Sequence, residues 1–376
     1  MAAPRKIAFI RADFDPYGGA ERFTAFLMEE LAARGMEIHL FARTWKQEPD
    51  AKYIVHRVPA IASPSLLRQW GFVAGVKKAL KRYHFDLIQS NERTLSQHVY
   101  RAGDGVHASW LALRKARSSP VKRLALTVNP FHRYMLNLEK KMFEDPGLRA
   151  IIVNSEMVRR EILAHFQVEN RKIHTIYNGV DCSRFHPDNR HRLGLPLRQR
   201  ERVAPDAKIA LFVGSGYERK GVRPLLAALA QVKENMLLWV VGKDSIAPYR
   251  KLAGKLGIGA RVTFWGKQQD VRPFYAAADF FVLPTLYDPF PSVALEALAS
   301  GLPIIVSRQC GAAEIIEPGR EGFILDSPED KRLTEYLQAL SRKSETMIAA
   351  ARRCAEQFPK ERTVRETLAL YENILH

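Results

Sequence analysis

Cysteine is scarce in this chain of 376 residues: Cys182, Cys310 and Cys354 are the whole supply, and they stand far apart. Three thiols without a shared spacing offer no disulfide framework and no zinc ligand set. An odd, sparse count fits free thiols in a reducing compartment. Also missing is any run of about 18 apolar residues, so no segment reads as a membrane span. Met1–Lys6 is followed only by Ile7-Ala8-Phe9-Ile10 before Arg11 and Asp13. That is too short for the apolar core of a secretory signal and better suited to a first strand. Low-complexity tracts and repeats of 20–50 residues are lacking too. What remains is the expectation of a folded cytoplasmic protein, long enough to build two cores.

Acid is in short supply as well. Forty Asp and Glu oppose 58 Lys and Arg, a net charge of +18. Such an excess suits an anionic neighbour: nucleic acid, an anionic membrane face or a phosphorylated substrate. It is concentrated between Arg101 and Lys141, where Arg114, Lys115, Arg117, Lys122, Arg123, Arg133 and Lys140 meet only Asp104 and Glu139. A solvated helix surface would produce the same pattern.

Short apolar β-rich runs alternate with segments of helical period, the signature of α/β units on parallel sheets. Expected in the first half are strands at Lys6–Ile10, Glu37–Ala42, Leu87–Gln89, Ala150–Asn154 and Ile173–Tyr177, with helices at Ala20–Arg34, Leu66–Arg82 and from Ser155. Residues 182–207 turn polar and arginine-rich around Pro187, Pro196 and Pro205, which reads as an inter-domain linker. A second series follows, with strands at Ile209–Val213, Leu237–Val241, Val262–Phe264, Phe280–Pro284 and Pro303–Ser307. Its helices are expected at Val222–Val232, Ala247–Leu256, Val271–Ala277 and Ser292–Ser300. The predicted organisation is an N-terminal domain over 1–181, the linker, a C-terminal domain over 208–357, and a final helix over 358–376 crossing back to the first domain. Two doubly wound domains of this kind bind ligands outside the carboxyl ends of their strands.

Three constellations carry chemistry. Gly18-Gly19, after the first strand and opening a helix, lets backbone approach a ligand and offers free amides to an anion. The nearby Asp13-Phe14-Asp15 pair lacks further acids or histidines, so no metal site is assigned. Gly214-Ser215-Gly216-Tyr217-Glu218-Arg219-Lys220-Gly221 joins a flexible loop to adjacent cations suited to a diphosphate; alone, they would pass as solvated surface charges. The third is Asp288-Pro289-Phe290-Pro291-Ser292-Val293-Ala294-Leu295-Glu296. Here the amides of Ser292 and Val293 stand at the positive end of a helix, flanked by two carboxylates able to accept hydroxyl hydrogen bonds.

Together with Ile176-Tyr177-Asn178-Gly179-Val180-Asp181 and Phe185-His186-Pro187, the acid-x7-acid turn before LEALASGLPIIVS resembles the retaining glycosyltransferases of family 4, which have the GT-B fold. The likeness runs from Gly18-Gly19 to about Gly322. Within the family it leans to the lipopolysaccharide core glucosyltransferase I type, on GSGYERKG, WVVGKD, GKQQDVRPFYAAADFFVLPT and Tyr100–His107. The resemblance implies two Rossmann-like domains facing across a cleft. It implies transfer of a hexose, glucose from UDP-glucose, to a lipid-linked saccharide of the lipopolysaccharide inner core. No metal and no cofactor beyond the nucleotide-sugar substrate is implied.

Carried over by position, the resemblance gives the diphosphate to Arg219, Lys220 and the amides of Gly18, Gly19, Ser292 and Val293, with Gly214 shaping that loop. It gives the ribose to Glu296, the donor sugar to Asp288 and the main chain near Phe290, and the base to Gly266 and Lys267. Asp104 is placed beside the reacting sugar, with His107 as its rival. Asp288 departs from the family's usual glutamate, which bears on which sugar is read. The apolar residues threaded through the basic stretch, Trp110, Leu111, Leu113, Leu124, Leu126, Phe131, Tyr134, Met135 and Leu138, suit an interfacial element. Residues 110–141 are therefore expected to dock on the anionic inner membrane face. Three alternatives stand beside this reading: a family 4 transferase for another polysaccharide or glycolipid, a nucleotide-sugar epimerase, and a basic nucleic-acid-binding protein. The last lacks a recognition motif and leaves the diphosphate loops unexplained, so no nucleic-acid partner is assigned.

Overall fold

Continuous apolar runs become parallel strands covered on both faces. Ile7–Ile10 and Phe280–Leu283 are buried at every position, and Lys208–Val213 at all but its first. The structure is a computed structural model that describes residues 5–14, 19–45, 53–59, 63–342 and 345–375. It divides into two units, one of Met1–Tyr177 with Thr363–His376 and the other of Asn178–Arg362.

The first unit runs β1 (Lys6–Ile10), β2 (Asp13–Phe14), α1 (Gly19–Ala33), β3 (Glu37–Ala42), β4 (Thr44–Trp45), β5 (Tyr53–Arg57) and α2 (Ser65–Leu80). It continues with β6 (Leu87–Ser90), β7 (Val99–Arg101), α3 (His107–Ala116), α4 (Pro120–Val128), α5 (Pro130–Phe143), β8 (Ala150–Val153), α6 (Glu156–His165) and β9 (Ile173–Thr175). Among the described residues seven strands form one sheet in the order β5-β3-β1-β6-β7-β8-β9, each pair parallel, while β2 and β4 pair separately.

In the second unit come α7 (Leu195–Arg200), β10 (Lys208–Val213), α8 (Val222–Gln231), β11 (Met236–Val241), α9 (Ala247–Lys255), β12 (Val262–Gly266) and α10 (Arg272–Ala277). Then follow β13 (Phe280–Leu283), α11 (Ser292–Ala299), β14 (Ile304–Ser307), β15 (Gly322–Leu325), α12 (Arg332–Ser341), α13 (Glu345–Glu356) and the start of α14 (Lys360–Leu375). Its six strands are ordered β12-β11-β10-β13-β14-β15, again all parallel. Both sheets grow one way from their first strand and then reverse, between β1 and β6 and between β10 and β13. Loops leaving the carboxyl ends at such a reversal diverge, and a crevice opens between them.

The segment 182–207, expected as a linker, belongs instead to the second unit. Two of its arginines, Arg190 and Arg198, are packed rather than solvated. Arg198 donates to Ala277 O (2.9 Å), Ala207 O (2.6 Å) and Asp279 Oδ2 (3.1 Å), and Arg190 donates to Ala278 O at 2.8 Å. These guanidiniums satisfy carbonyls left open at the C-terminal end of α10, where the helix dipole favours cations. At Gly194 an added Cβ would fall 2.3 Å from Ala276 O, so the segment lies directly on that helix.

Thr363 onward returns to the first unit rather than residue 358 onward, with Val364, Leu368, Leu370 and Tyr371 inside the core that holds Ile7, Phe9 and Leu40. Burial of each such side chain contributes roughly 1.5–3 kcal/mol. Strands β5, β7 and β15 were not foreseen. The first carries histidine and arginine on a sheet edge, β7 is three residues long, and β15 begins on a glycine.

Candidate active site

The loops at the second unit's reversal point are the two that the sequence singles out. Residues 214–221 leave β10, and residues 284–291 leave β13. They are tied together by backbone. Leu286 N donates to Arg219 O at 2.7 Å, and the Thr285 hydroxyl donates to the same carbonyl at 3.2 Å. Gly221, at φ +79°, sits so close to Pro284 that a Cβ would lie 1.9 Å from its carbonyl oxygen. Only glycine both takes that left-handed conformation cheaply and leaves the approach open. Gly214 does the same for a side chain: its missing Cβ leaves space for Lys220, whose Nζ would stand 2.9 Å from it.

Lys220 therefore folds back across its own loop, nearly buried, and meets Asp288 (Nζ to Oδ2, 3.2 Å). Arg219 reaches the same oxygen at 3.5 Å and donates to Tyr287 O. Asp288 is fixed at both ends of its peptide, its N–H donating to Gln309 O (3.0 Å) and its carbonyl accepting from Gly311 N (2.9 Å). A carboxylate held between two cations in a buried turn keeps both cations oriented, and it offers them to any competing anion.

Directly after this turn, α11 begins at Ser292, with Pro291 as its N-cap rather than its first residue, and Gly301 in the left-handed conformation just beyond its end. Its first amides, Ser292 and Val293 among them, need partners from outside the helix. Ala294, Leu295, Ala297, Leu298 and Ala299 are fully covered, so α11 runs through the core. Glu296 is the single acid on it, 6% exposed, and accepts from the Tyr275 hydroxyl at 2.9 Å. Phe290 presents its carbonyl to the Asn178 side chain (2.8 Å). Gly266 closes β12 at φ +66°, with its carbonyl accepting from Gly242 N, and Lys267 follows it at the surface.

In the first unit Asp104 is exposed in the turn after β7, with Gly105 at φ +70° beside it. His107 opens α3, and its Nε2 is 3.0 Å from His132 Nδ1. Burial pushes its pKa down to about 4, helped by Arg93, His132 and Arg114, so the ring is neutral at pH 7. Beneath it sits a group that sequence reading missed. Glu139, fully buried, accepts from the amides of His107 (2.7 Å) and Ala108 (3.3 Å) and pairs with Arg93 at 2.7 Å. One signal was available: Glu139 is the only acid on α3, α4 and α5. Gly18 lies outside the described residues, as does Asp15, while Gly19 starts α1. Asp13 is paired with Arg43 and Thr44. Among the described residues no group of three or more His, Cys, Asp or Glu is placed to hold a metal ion.

The profile of Glycosyltransferase Family 4 matches residues 17–184, and that of Glycosyl transferases group 1 matches residues 196–357. The lipopolysaccharide core biosynthesis glycosyltransferase LpsE of Rhizobium meliloti (strain 1021) is 30% identical over 324 residues, 83% of this chain and 82% of its own. The chain belongs to glycosyltransferase family 4. The glycosyltransferase is also 26% identical over 355 residues to the lipopolysaccharide glucosyltransferase WaaG of Escherichia coli (strain K12), covering 92% of each. Among solved structures its fold matches that of WaaG with a TM-score of 0.85 at 24% identity, over 97% of this chain and 99% of the other. It also matches Anabaena Alr3699/HepE, solved in complex with UDP-glucose, at 0.74 and 21% identity over 97% and 99%. The fold of the glycosyltransferase is GT-B, with two Rossmann-like parallel-sheet domains.

Proposed function

We propose that this glycosyltransferase moves glucose from UDP-glucose, with retention at the anomeric carbon, onto a lipid-linked saccharide of the lipopolysaccharide core. The observation that carries the reading is the meeting of Arg219 and Lys220 on Asp288 beside the start of α11. Transfer of a glycosyl group separates an oxocarbenium-like sugar from a nucleoside diphosphate anion. Two oriented cations and a helix N-terminus stabilise such an anion, by a few kcal/mol for each well-placed donor. On this reading the diphosphate takes Arg219, Lys220 and the amides of Ser292 and Val293. Asp288, released from its cations, then accepts hydroxyl hydrogen bonds from the sugar, and Glu296 holds the ribose diol. The base lies against Gly266 and Lys267. In the first unit Asp104 orients the acceptor hydroxyl. No metal is assigned, because Arg219 and Lys220 offset the diphosphate charge that a metal would otherwise offset.

The choice of glucose and of a lipopolysaccharide acceptor is supported by the likeness to WaaG and LpsE and by the UDP-glucose bound in HepE. A membrane-facing role for the basic stretch is supported by α4. There Val121, Leu124 and Val128 are 80%, 64% and 58% exposed on a helix that also shows Lys122 and Arg123. Leu111, Leu126, Met135 and Leu138, grouped with Leu124 by sequence, are core residues instead. A protein so placed would work at the inner membrane face; no helix among the described residues is long and apolar enough to cross a membrane. A thermal-shift screen against UDP- and GDP-sugars tests the donor. Stabilisation by UDP-glucose above other sugars is expected, and no response to any nucleotide sugar would overturn the reading.

A further inference from the structure

Glu296 is out of keeping with the helix that carries it. Ala294, Leu295, Ala297, Leu298 and Ala299 of α11 are fully buried, and Glu296 among them is 6% exposed. A carboxyl group in such surroundings needs donors, and the direction of its oxygens is set by where those donors stand. One donor is the Tyr275 hydroxyl, 2.9 Å from Glu296 Oε2. The same hydroxyl lies 3.3 Å from Val293 O, in the first turn of α11. With one hydrogen to donate, Tyr275 favours the nearer carboxyl oxygen while staying against the start of the helix. Tyr275 belongs to α10, whose six residues are too few to hold a position by themselves. Its place is fixed from outside. Arg198 and Arg190 close the C-terminal end of α10 at Ala277 O and Ala278 O. The ring meets Phe185 edge-on, with centroids 5.6 Å apart, and lies 6.3 Å from Phe281 of β13. At 1% exposed, Tyr275 has no surface to offer a ligand directly. What the clamped ring does is aim one O–H at Glu296.

We propose that Tyr275 is a positioning residue for donor recognition: its hydroxyl fixes the rotamer of Glu296, so that the carboxyl group meets the ribose diol already oriented. A ligand that binds a preoriented group is spared the cost of ordering it. Phe185, Arg190 and Arg198 then serve the donor site at one remove, by holding the ring and the helix that carry the hydroxyl. The inference rests on the proposed reading in giving Glu296 to the ribose, and it adds a residue that touches no part of the donor.

Tyr275→Phe removes one oxygen atom and keeps the ring. Titration calorimetry on the full chain compares UDP with 2′,3′-dideoxyuridine diphosphate, which carries the same base and diphosphate but no diol. In Tyr275→Phe the affinity for UDP should fall about tenfold, equivalent to about 1.4 kcal/mol, while that for the dideoxy nucleotide stays within about twofold. Phe185→Leu, which loosens the ring and spares the hydroxyl, should give a smaller loss of the same selective kind. In a Glu296→Ala background Tyr275→Phe should cost UDP nothing further, because the two side chains act as one. An equal loss for both nucleotides would mean that the hydroxyl acts on the start of α11 and not on the ribose contact, and it would overturn the proposal. A further loss in the Glu296→Ala background would do the same. Wild-type preference for UDP that survives Tyr275→Phe unchanged would remove the role of Tyr275 and leave the proposed function standing. Wild-type protein that binds neither nucleotide, or both equally, would instead overturn the assignment of Glu296 to the ribose, and the role of Tyr275 with it.

Discussion

Replacing Lys220 by methionine removes one charge and keeps most of the side-chain volume, so its effects can be worked from the site. Lys220 lies 3.2 Å from Asp288 and Arg219 lies 3.5 Å from the same oxygen, with the two acid–base side chains of the closer pair each 11% exposed. On the proposed reading Lys220 makes a charge-assisted hydrogen bond to the diphosphate, worth about 1.5–3 kcal/mol. Its loss should weaken UDP binding about 10- to 150-fold. The same change leaves Asp288 with the looser of its two cations. Removal of one partner from a fully buried pair costs about 3–5 kcal/mol; with Arg219 still in reach, a loss nearer 1–3 kcal/mol is expected. The two effects separate in Lys220→Met/Asp288→Asn, where no carboxylate is stranded. That double variant should recover most of the stability in urea unfolding and none of the UDP affinity in titration calorimetry. Unchanged UDP affinity in Lys220→Met, or affinity regained in the double variant, would refute the assignment of Lys220 to the diphosphate.

Glu139→Gln should destabilise the protein by about 3–5 kcal/mol, because Arg93 would stay buried without its counter-charge; a change under about 1 kcal/mol in urea unfolding would mean the pair contributes little. His107 has a pKa of about 4 when folded against an ordinary 6.5, so the unfolded chain binds more protons between those values. Stability should be complete above about pH 6.5 and fall as pH drops toward 4, and His107→Gln should flatten that fall; an equally steep fall in the variant removes His107 as a cause. Wild-type protein should co-sediment at low salt with phosphatidylglycerol vesicles and not with neutral ones, and Val121→Ser/Leu124→Ser/Val128→Ser should lose most of that binding. Vesicle binding that survives both this change and neutralisation of Lys122 and Arg123 would place the contact elsewhere.

The alternation of apolar runs and helical segments determined the architecture by itself, because a parallel strand covered on both faces must be continuously apolar and its crossover must be amphipathic. Local chemistry determined the loops as well. Glycines at 214 and 221, cations at 219 and 220, and a proline-capped helix start at 292 are readable because their conformational demands act within a few residues. The partners were not readable. That Asp288 holds Lys220 and that Glu139 underpins His107 from 32 positions away depend on which elements the fold brings side by side. Sequence also misjudged polarity where tertiary contacts supply the partner. Residues 182–207 read as a polar linker, yet Arg190 and Arg198 close the carbonyl end of a helix some 80 residues away. Charge and apolarity are properties of a residue and survive in the string of letters. Burial and pairing are properties of the packed chain, and only the tertiary structure decided them.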